Sequence, residues 1–178
     1  MIIIFTGNGK GKTTASIGQM IRVIGRGKNA LMIQFIKGPW KSGEDEFSDN
    51  FNLKTKKIGK FKIVKKGLGF VGILGDKLPF SEHQKAAKEA LEYFKKELKT
   101  KKWDLIILDE INVAVNLGLL SINEVLRAIK NFPEDKILIL SGRSAPEKFI
   151  KIADLVTEMK DIKHPFYEGK KAKVLVEF

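Results

Sequence analysis

The chain of 178 residues contains no cysteine and only two histidines, His83 and His164. The absence of cysteine excludes disulfide bonds, a thiolate nucleophile and thiol ligands for a metal ion. Two histidines without cysteine do not suffice for a structural zinc site, which takes four nitrogen or sulfur ligands.

Long hydrophobic runs are also missing. No apolar stretch approaches the roughly 18 residues that a membrane-spanning helix needs. The first residues lack the basic segment and apolar core of a signal peptide, so we expect a cytoplasmic protein without a membrane partner. The length predicts one domain over residues 1–178, and the 43% of hydrophobic residues suffices for a sizeable core.

Acidic residues are outnumbered by basic ones, which gives a net charge of +12. Such a charge suits binding to nucleic acid, an anionic membrane or phosphorylated small molecules. Lysines spread over a solvated surface are the simpler interpretation. The run from Lys54 to Lys66 contains no acidic residue. It predicts a solvated hairpin edge guarded by lysines, with attraction of anionic ligands or nucleic acid as the functional alternative.

Short apolar segments alternate with helical patterns along the chain. The pattern predicts an α/β fold with a mainly parallel sheet covered by helices on both faces. The expected strands are Ile2–Thr6, Ala30–Ile36, Phe61–Val64, Leu105–Leu108, Lys136–Leu140, Leu155–Met159 and Ala172–Phe178. The expected helices are Lys12–Ile24, Ser81–Lys99, Ser121 to about Asn131, and one that starts between Ser144 and Glu147.

Capping signals mark two of these helices. Ser81 with Gln84, and Ser121 with Glu124, have the spacing of a capping box. His83 would then lie in the first turn of its helix, where we expect an exposed side chain. The stretch Lys37–Pro79 is too long for an ordinary connection and is interpreted as a functional insertion.

The segment FTGNGKGKTTASIG, residues 5–18, joins the first strand to the first helix. Glycines at this junction let backbone N–H groups converge on phosphate oxygens at a helix N-terminus, and a lysine adds a point charge. The hydroxyl of Thr13 could bind Mg²⁺. The candidate ATP-phosphate ligands are Gly7, Asn8, Gly9, Lys10, Gly11, Lys12, Thr13 and Thr14. The usual spacing would place the first glycine at residue 6, so this phosphate loop is one residue short.

An acidic pair, Asp109-Glu110, ends the apolar strand Leu105–Leu108. The carboxyl edge of a parallel sheet is where ligands bind in such folds, so either carboxylate could reach a Mg²⁺ ion beside Thr13. The alternative is an acidic helix N-terminus that favours the helix dipole. Nucleotide binding therefore follows from the residues, whereas the reaction does not.

Five segments occur in the order seen in the ATP:corrinoid adenosyltransferases, which the chain resembles from Ile2 almost to Phe178. They are residues 5–14 (FTGNGKGKTT), 34–44 (QFIKGPWKSGE), 108–120 (LDEINVAVNLGLL), 141–146 (SGRSAP) and 153–169 (ADLVTEMKDIKHPFYEG). The shortened loop is itself a feature of that family. The resemblance implies a P-loop fold similar to RecA, with ATP held in a reversed orientation.

The activity implied by this resemblance is attack of a Co(I) corrinoid on the 5′ carbon of ATP, with triphosphate as the leaving group. Lys12, Thr13 and Glu110 would be the catalytic residues, and Thr13, Asp109 and Glu110 would hold Mg²⁺ or Mn²⁺. The implied partners are ATP, the corrinoid, a Co(II) reductase and a second copy of the chain in a homodimer. Nucleic acid is not among them.

The family also carries an aromatic loop that displaces the lower axial ligand from cobalt. Gly67-Leu-Gly-Phe70 matches its pattern, but the tryptophan that some members place two residues later is Gly72 here. Phe70 could act alone, or Phe80 or Trp40 could substitute; ordinary core packing is the alternative for Phe70. Some members also have an N-terminal helix that covers the site. In this chain such a cover must come from another segment or be absent. The family often has a glycine near the end, where this chain has Leu175-Val-Glu-Phe178.

Three more residues in the matched segments are candidates for corrinoid or nucleotide binding. Asn112 could contact corrinoid amides or cap a helix. Arg143 could bind an anion or form a surface salt bridge. His164 could contact corrinoid or nucleotide, or make a structural hydrogen bond.

Two other functions use the same phosphate loop. A basic RecA-like ATPase could bind nucleic acid through the lysine run and position water with Glu110. However, no aromatic platform for stacking bases accompanies the lysines. A P-loop kinase of a small metabolite would need an arginine-rich lid, which the sequence does not show.

Overall fold

The computed structural model describes residues 1–50, 57–73 and 75–169, and six strands within them form one sheet. The strands are β1 (Ile2–Thr6), β2 (Ala30–Gln34), β3 (Phe61–Lys65), β4 (Leu105–Asp109), β5 (Ile137–Ser141) and β6 (Leu155–Glu158). The helices are α1 (Lys12–Gly25), α2 (Gly43–Asn50), α3 (Phe80–Lys99), α4 (Ile111–Asn116), α5 (Ile122–Ile129) and α6 (Glu147–Ile152), and a 3₁₀ turn spans Pro165–Glu168.

All neighbouring strands are parallel, in the order β3-β2-β4-β5-β1-β6. Side chains alternate between the two faces, as the pleat requires. On one face Leu31, Ile106 and Leu138 pack with Phe94 of α3. The opposite face packs against α1, with Met20 among its core residues. The predicted α/β class, with a mainly parallel sheet between helices, is confirmed.

The remaining predictions for local structure have mixed outcomes. The strands from β1 to β6 lie where the apolar runs predicted them, within one or two residues. Helices α2 and α4 were not predicted, and Ala172–Phe178 lies outside the described residues. The described part of the lysine run contains β3, an edge strand parallel to β2, so the expected hairpin edge is wrong. Lysines do guard that edge, because Lys62 and Lys65 lie on β3.

Only one of the two predicted capping boxes forms. The Ser121 hydroxyl accepts from the Glu124 N–H at 3.2 Å, and the Glu124 carboxylate accepts from the Ser121 N–H at 2.8 Å. Helix α3 starts earlier than predicted, with Pro79 at its N-cap, so Ser81 lies inside the first turn and caps nothing. Gln84 instead donates to the Gly118 carbonyl.

This contrast predicts unequal costs for two serine substitutions. Ser121→Ala should lower the free energy of unfolding by about 1 kcal/mol, because the serine hydroxyl accepts from the Glu124 N–H at the start of α5. Ser81→Ala is the matched control and should change it by less than about 0.5 kcal/mol. Urea denaturation of both variants measures the difference. Equal losses would contradict the cap assignments.

His83 is buried rather than exposed, which corrects the prediction for this residue. Its side chain is almost inaccessible, and its Nε2 lies 3.0 Å from Oδ2 of Asp76. Asp76 also accepts from the N–H groups of Gly72, at 2.9 Å, and Leu78, at 3.0 Å. These backbone hydrogen bonds, then the His83 contact, hold the pKa of Asp76 below its usual range. The result is a connection between α3 and the loop that follows Phe70.

No helix in residues 1–50, 57–73 and 75–169 is long and apolar enough to cross a membrane.

Candidate active site

Polar side chains gather where four parallel strands end. Strands β1, β2, β4 and β5 end in Thr6, Gln34, Asp109 and Ser141, all of them buried. The register places Gln34 beside Asp109 on neighbouring strands. Buried polar residues at the carboxyl edge of a parallel sheet mark the usual place for a ligand in this class of fold.

The phosphate loop leaves this edge and packs against the end of β6. Gly7 has φ of 93°, and a Cβ atom there would lie 2.3 Å from the Met159 carbonyl oxygen, so no larger residue fits. The Gly9 N–H donates to that same carbonyl at 2.8 Å. This N–H is therefore directed at the protein, whereas the sequence predicted Gly9 among the phosphate ligands.

Lys12 lies at the centre of the loop, at the first position of α1. Its ammonium group is buried and donates to the Gly7 and Gly9 carbonyls, at 2.7 and 2.6 Å. Burial lowers the pKa of Lys12 below its usual range, and the nearby Glu110 carboxyl group opposes that shift. The loop thus holds a buried positive charge, which would attract the negative charge of an entering polyphosphate.

Thr13, the next residue, joins the loop to β4. Its hydroxyl donates to Oδ1 of Asp109 at 3.1 Å. The Asp109 carboxylate also accepts from the Ser141 hydroxyl at 2.6 Å and from the Gln34 amide at 3.3 Å. The carboxylate is thereby fixed at the edge of the sheet, directly beneath the start of α1.

Glu110 has a left-handed backbone conformation and a carboxyl group with a raised pKa. Its φ of 61° is left-handed, a conformation that costs a non-glycine residue of order 1–3 kcal/mol and is frequent at functional sites. The Ser141 hydroxyl accepts from its N–H at 3.1 Å. Burial, reinforced by the charge of Asp109, raises the pKa of Glu110 to about 7.

This acidity gives the fold a pH dependence that Glu110→Gln should remove. A carboxyl group with a pKa of about 7 when folded, against a reference value of 4.5, loses its proton first in the unfolded chain. The contribution of Glu110 to the free energy of unfolding should therefore fall by about 3 kcal/mol as the pH rises from 4.5 to 7 and stay constant above.

Without ATP and metal, Glu110→Gln should thus be more stable than the parent chain at pH 8, and equally stable near pH 4.5. Glu89→Gln, at an exposed position of α3, is the control and should leave the free energy of unfolding unchanged at both pH values. Urea denaturation between pH 4.5 and 8.5 provides the measurement. Parallel curves for the parent chain and Glu110→Gln would contradict the raised pKa.

A cavity of about 640 Å³ opens over the phosphate loop. Its polar end is formed by the loop together with Glu110 and Arg143, and its other end is lined by Ile17, Ile21, Phe47 and Ile63. Phe47 of α2 stacks on Phe61 of β3, with ring centroids 5.7 Å apart. The cavity therefore offers a charged end for an anion and an apolar end for a planar or aliphatic group.

The structure brings most of the sequence-predicted residues to this cavity. Its walls include Asn8, Gly9, Lys10, Gly11, Lys12, Thr13, Thr14, Glu110 and Arg143. Asp109 lies beneath Thr13, and the Gly7 carbonyl accepts from Lys12. The loop that carries Arg143 is anchored by Asn116, whose amide donates to the Arg143 and Ser144 carbonyls at 3.3 and 2.6 Å.

Three other predicted residues lie outside the cavity walls. Asn112 is fully buried within α4 and donates to the Gly142 carbonyl at 3.0 Å. Phe70 is half-exposed, on the loop after β3. His164 follows β6 and meets Tyr167 edge-on, with ring centroids 6.2 Å apart. Phe80, one of the suggested substitutes for the missing tryptophan, is exposed at the start of α3.

Sequence reasoning missed several residues of the site. Gln34 and Ser141 orient Asp109, and both could have been found as polar residues that end apolar parallel strands. Lys37 and Glu44 form an ion pair in the cavity wall. Phe47 could not have been found, because its helix carries no apolar periodicity.

A family model described as ATP:corrinoid adenosyltransferase BtuR/CobO/CobP matches residues 1–178. The chain belongs to this family. The match spans the phosphate loop, the acidic pair at the end of β4 and the aromatic loop after β3. It confirms the family and the transferase class that the sequence predicted, and it does not favour the alternative of a nucleic-acid-binding ATPase.

Individual relatives agree with the family. The chain is 38% identical over 180 residues to a corrinoid adenosyltransferase of Sinorhizobium sp, covering 100% of this chain and 80% of the relative. It is 33% identical over 178 residues to the corrinoid adenosyltransferase of Escherichia coli K12, and 34% identical over 179 residues to corrinoid adenosyltransferase CobA of Salmonella typhimurium. In both cases the match covers 100% of this chain and 85% of the relative.

Proposed function

We propose that the chain transfers the 5′-deoxyadenosyl group of ATP to the Co(I) centre of a corrinoid and releases triphosphate. One observation carries this proposal: the family match covers the whole chain, and within it the phosphate loop, Glu110 and Arg143 line a single cavity at the edge of the sheet. The corrinoid and ATP are both substrates in this proposal.

The polar end of the cavity suits the triphosphate. Lys12 and Arg143 supply positive charge there, and the start of α1 adds the N–H groups of a helix N-terminus. Lys12 donates to two loop carbonyls, which an entering phosphate would replace as its partners. The apolar end, with Phe47 and Ile63, would then lie beside the nucleoside.

The residues beneath the triphosphate fit a Mg²⁺ or Mn²⁺ ion. A hydroxyl from Thr13 and a carboxylate from Asp109 lie in direct contact, with Glu110 beside them, and oxygen donors are what these ions prefer. Within residues 1–50, 57–73 and 75–169 there is no cluster of three or more acidic or histidine ligands, which suits an ion that takes most of its ligands from phosphates and water. When bound, the ion would neutralise charge on the leaving group.

The transfer needs no general base in this proposal. The lone pair of Co(I) forms the Co–C bond, the C5′–O bond breaks, and its electron pair departs with the triphosphate. No proton is transferred at the reacting carbon. The protein therefore contributes positioning of the two substrates and electrostatic stabilisation of the leaving triphosphate.

The substrates and surroundings complete the proposal. Phe70 would contact the lower face of the corrinoid, and His164 would contact the corrinoid or the nucleotide. Asn112 is buried and would act indirectly, by holding the loop at Gly142. A Co(II) reductase would supply the electron, and the active form would be a cytoplasmic homodimer.

A binding experiment tests this function. Mixing the ATP-loaded chain with a Co(II) corrinoid should change the visible spectrum of the corrinoid and saturate at one corrinoid per chain. Salt-sensitive retardation of DNA in a gel, without any corrinoid spectral change, would instead support a nucleic-acid-binding ATPase.

A further inference from the structure

A second aromatic side chain lies against Phe70, and it comes from a different part of the chain. Trp40, between β2 and α2, has its ring centroid 6.0 Å from that of Phe70, with the planes tilted by 38°. This spacing is within the range at which aromatic rings attract each other. Both side chains remain exposed, Trp40 by 63% and Phe70 by 46%.

Glycines make this contact possible. Gly38 and Gly69 approach each other closely, and the indole of Trp40 lies over both of them. A Cβ atom at Gly38 would lie 2.8 Å from the indole, and one at Gly69 would lie 2.9 Å from it. Gly69 also has φ of 107°, which favours glycine. Both the nearby indole and the backbone conformation therefore disfavour a larger residue at this position.

The backbone of Trp40 is also held in place. Its carbonyl accepts from the Lys65 ammonium group at 2.5 Å, and Lys65 is paired with Asp45 of α2. On the other side, the Gly69 N–H donates to the Ile36 carbonyl at 2.9 Å. The two rings are thus carried by backbones that are both fastened to the edge of the sheet, and an exposed tryptophan in a fixed place is a typical binding residue.

The pair is adjacent to the nucleotide cavity. Lys37, Gly43 and Glu44 line that cavity, and they flank Trp40 on both sides in the chain. Gly72, by contrast, has φ of 69°, and apart from its chain neighbours no atom of the described residues lies within 4 Å of its Cβ position. Phe80 makes no ring contact with Phe70 within the part of the chain that the structure describes.

We propose that Trp40 replaces the missing tryptophan: Trp40 and Phe70 together form one apolar surface that covers the lower face of the corrin ring. This inference rests on the proposed adenosyl transfer. The indole excludes the lower axial ligand and water from cobalt, because neither ring offers a donor atom to the metal. Cobalt(II) without an axial donor accepts an electron more readily, so Trp40 acts in the reductive step and not in the transfer from ATP.

Two assays with the full chain separate these steps. One starts from a Co(II) corrinoid with ATP and a chemical reductant, and the other starts from corrinoid already reduced to Co(I). Trp40→Ala should lower the rate about tenfold in the first assay and less than about threefold in the second, the scale of a residue at the centre of a binding surface. Phe70→Ala should show the same split.

Controls and a spectroscopic readout complete the test. Trp40→Phe should retain most of the activity, and Phe80→Ala, at an equally exposed aromatic, should match the parent chain in both assays. Electron paramagnetic resonance of the Co(II) corrinoid, bound with ATP, should show less of the four-coordinate form with Trp40→Ala. The double variant Trp40→Ala/Phe70→Ala should lose less than the product of the two single losses, because the rings form one surface.

Other outcomes would overturn the inference. Equal losses in both assays would mean that Trp40 only shapes the pocket, and no loss in the first assay would remove its role. A change of oligomeric state in Trp40→Ala, with an unchanged resonance spectrum, would make the pair a subunit contact. If the parent chain itself failed to adenosylate Co(I) corrinoid, the proposed function would fail, which is distinct from failure of Trp40→Ala alone.

Discussion

Lys12→Ala should lower the rate of adenosyl transfer about 10²–10³-fold, the scale of losing one electrostatic donor at a reacting centre. The triphosphate gains negative charge as the C5′–O bond breaks, and Lys12 is the buried cation at the base of the loop. The loss should appear mainly in kcat with Co(I) corrinoid, because the charge to be stabilised is greatest in the transition state.

Thr13 provides a second test of the same cradle. Thr13→Ala should cause a loss of similar size because it removes the hydroxyl that we propose binds the metal ion, whereas Thr13→Ser should keep most of the rate because it keeps that hydroxyl. Lys88→Ala, an exposed lysine on α3, controls for the general loss of positive charge. A loss of only a few-fold in Lys12→Ala or Thr13→Ala would contradict the assignment of this loop to the leaving group.

The strands and the phosphate loop could be predicted because their signals are local. A parallel strand covered on both faces must be apolar throughout, and β4 reads Leu-Ile-Ile-Leu before its terminal Asp109. The glycines of the loop and the Lys12-Thr13 pair likewise follow from what backbone and charge must do around phosphate. The edge at which they meet then follows from the direction of parallel strands.

Helix α2 could not be predicted, because it is stabilised by tertiary contacts and not by a pattern in its own sequence. Its sequence, GEDEFSDN, is polar with no apolar stripe. The helix is fixed by ion pairs from Lys37 to Glu44 and from Lys65 to Asp45. Lys37 lies in the connection after β2, and Lys65 lies on β3. The apolar end of the cavity was missed for the same reason, since Phe47 is carried by this helix.

The fine geometry of the site was equally beyond the sequence. Nothing in the sequence shows that Glu110 adopts a left-handed backbone, or that burial raises its pKa to about 7. His83 was wrongly predicted to be exposed, because only its position in the helix was considered. In the structure its side chain is buried against Asp76 of the preceding loop. Both features depend on contacts that only the folded chain creates.

The largest expected effect concerns the fate of ATP. If the 5′ carbon is attacked, the bonds between the three phosphates stay intact, so triphosphate should form in step with adenosylated corrinoid and with little ADP. Without corrinoid the turnover of ATP should be very slow, because no nucleophile faces the carbon. A P-loop ATPase or kinase would show the opposite pattern, since both break the bond to the terminal phosphate.

Phosphorus NMR of one reaction mixture, followed over time with and without Co(I) corrinoid, measures this directly. The account predicts one triphosphate for each adenosylated corrinoid formed, and unchanged ATP in the sample without corrinoid. Prompt release of ADP and phosphate that needs no corrinoid, and that increases when DNA is added, would contradict the transferase and support the nucleic-acid-binding ATPase.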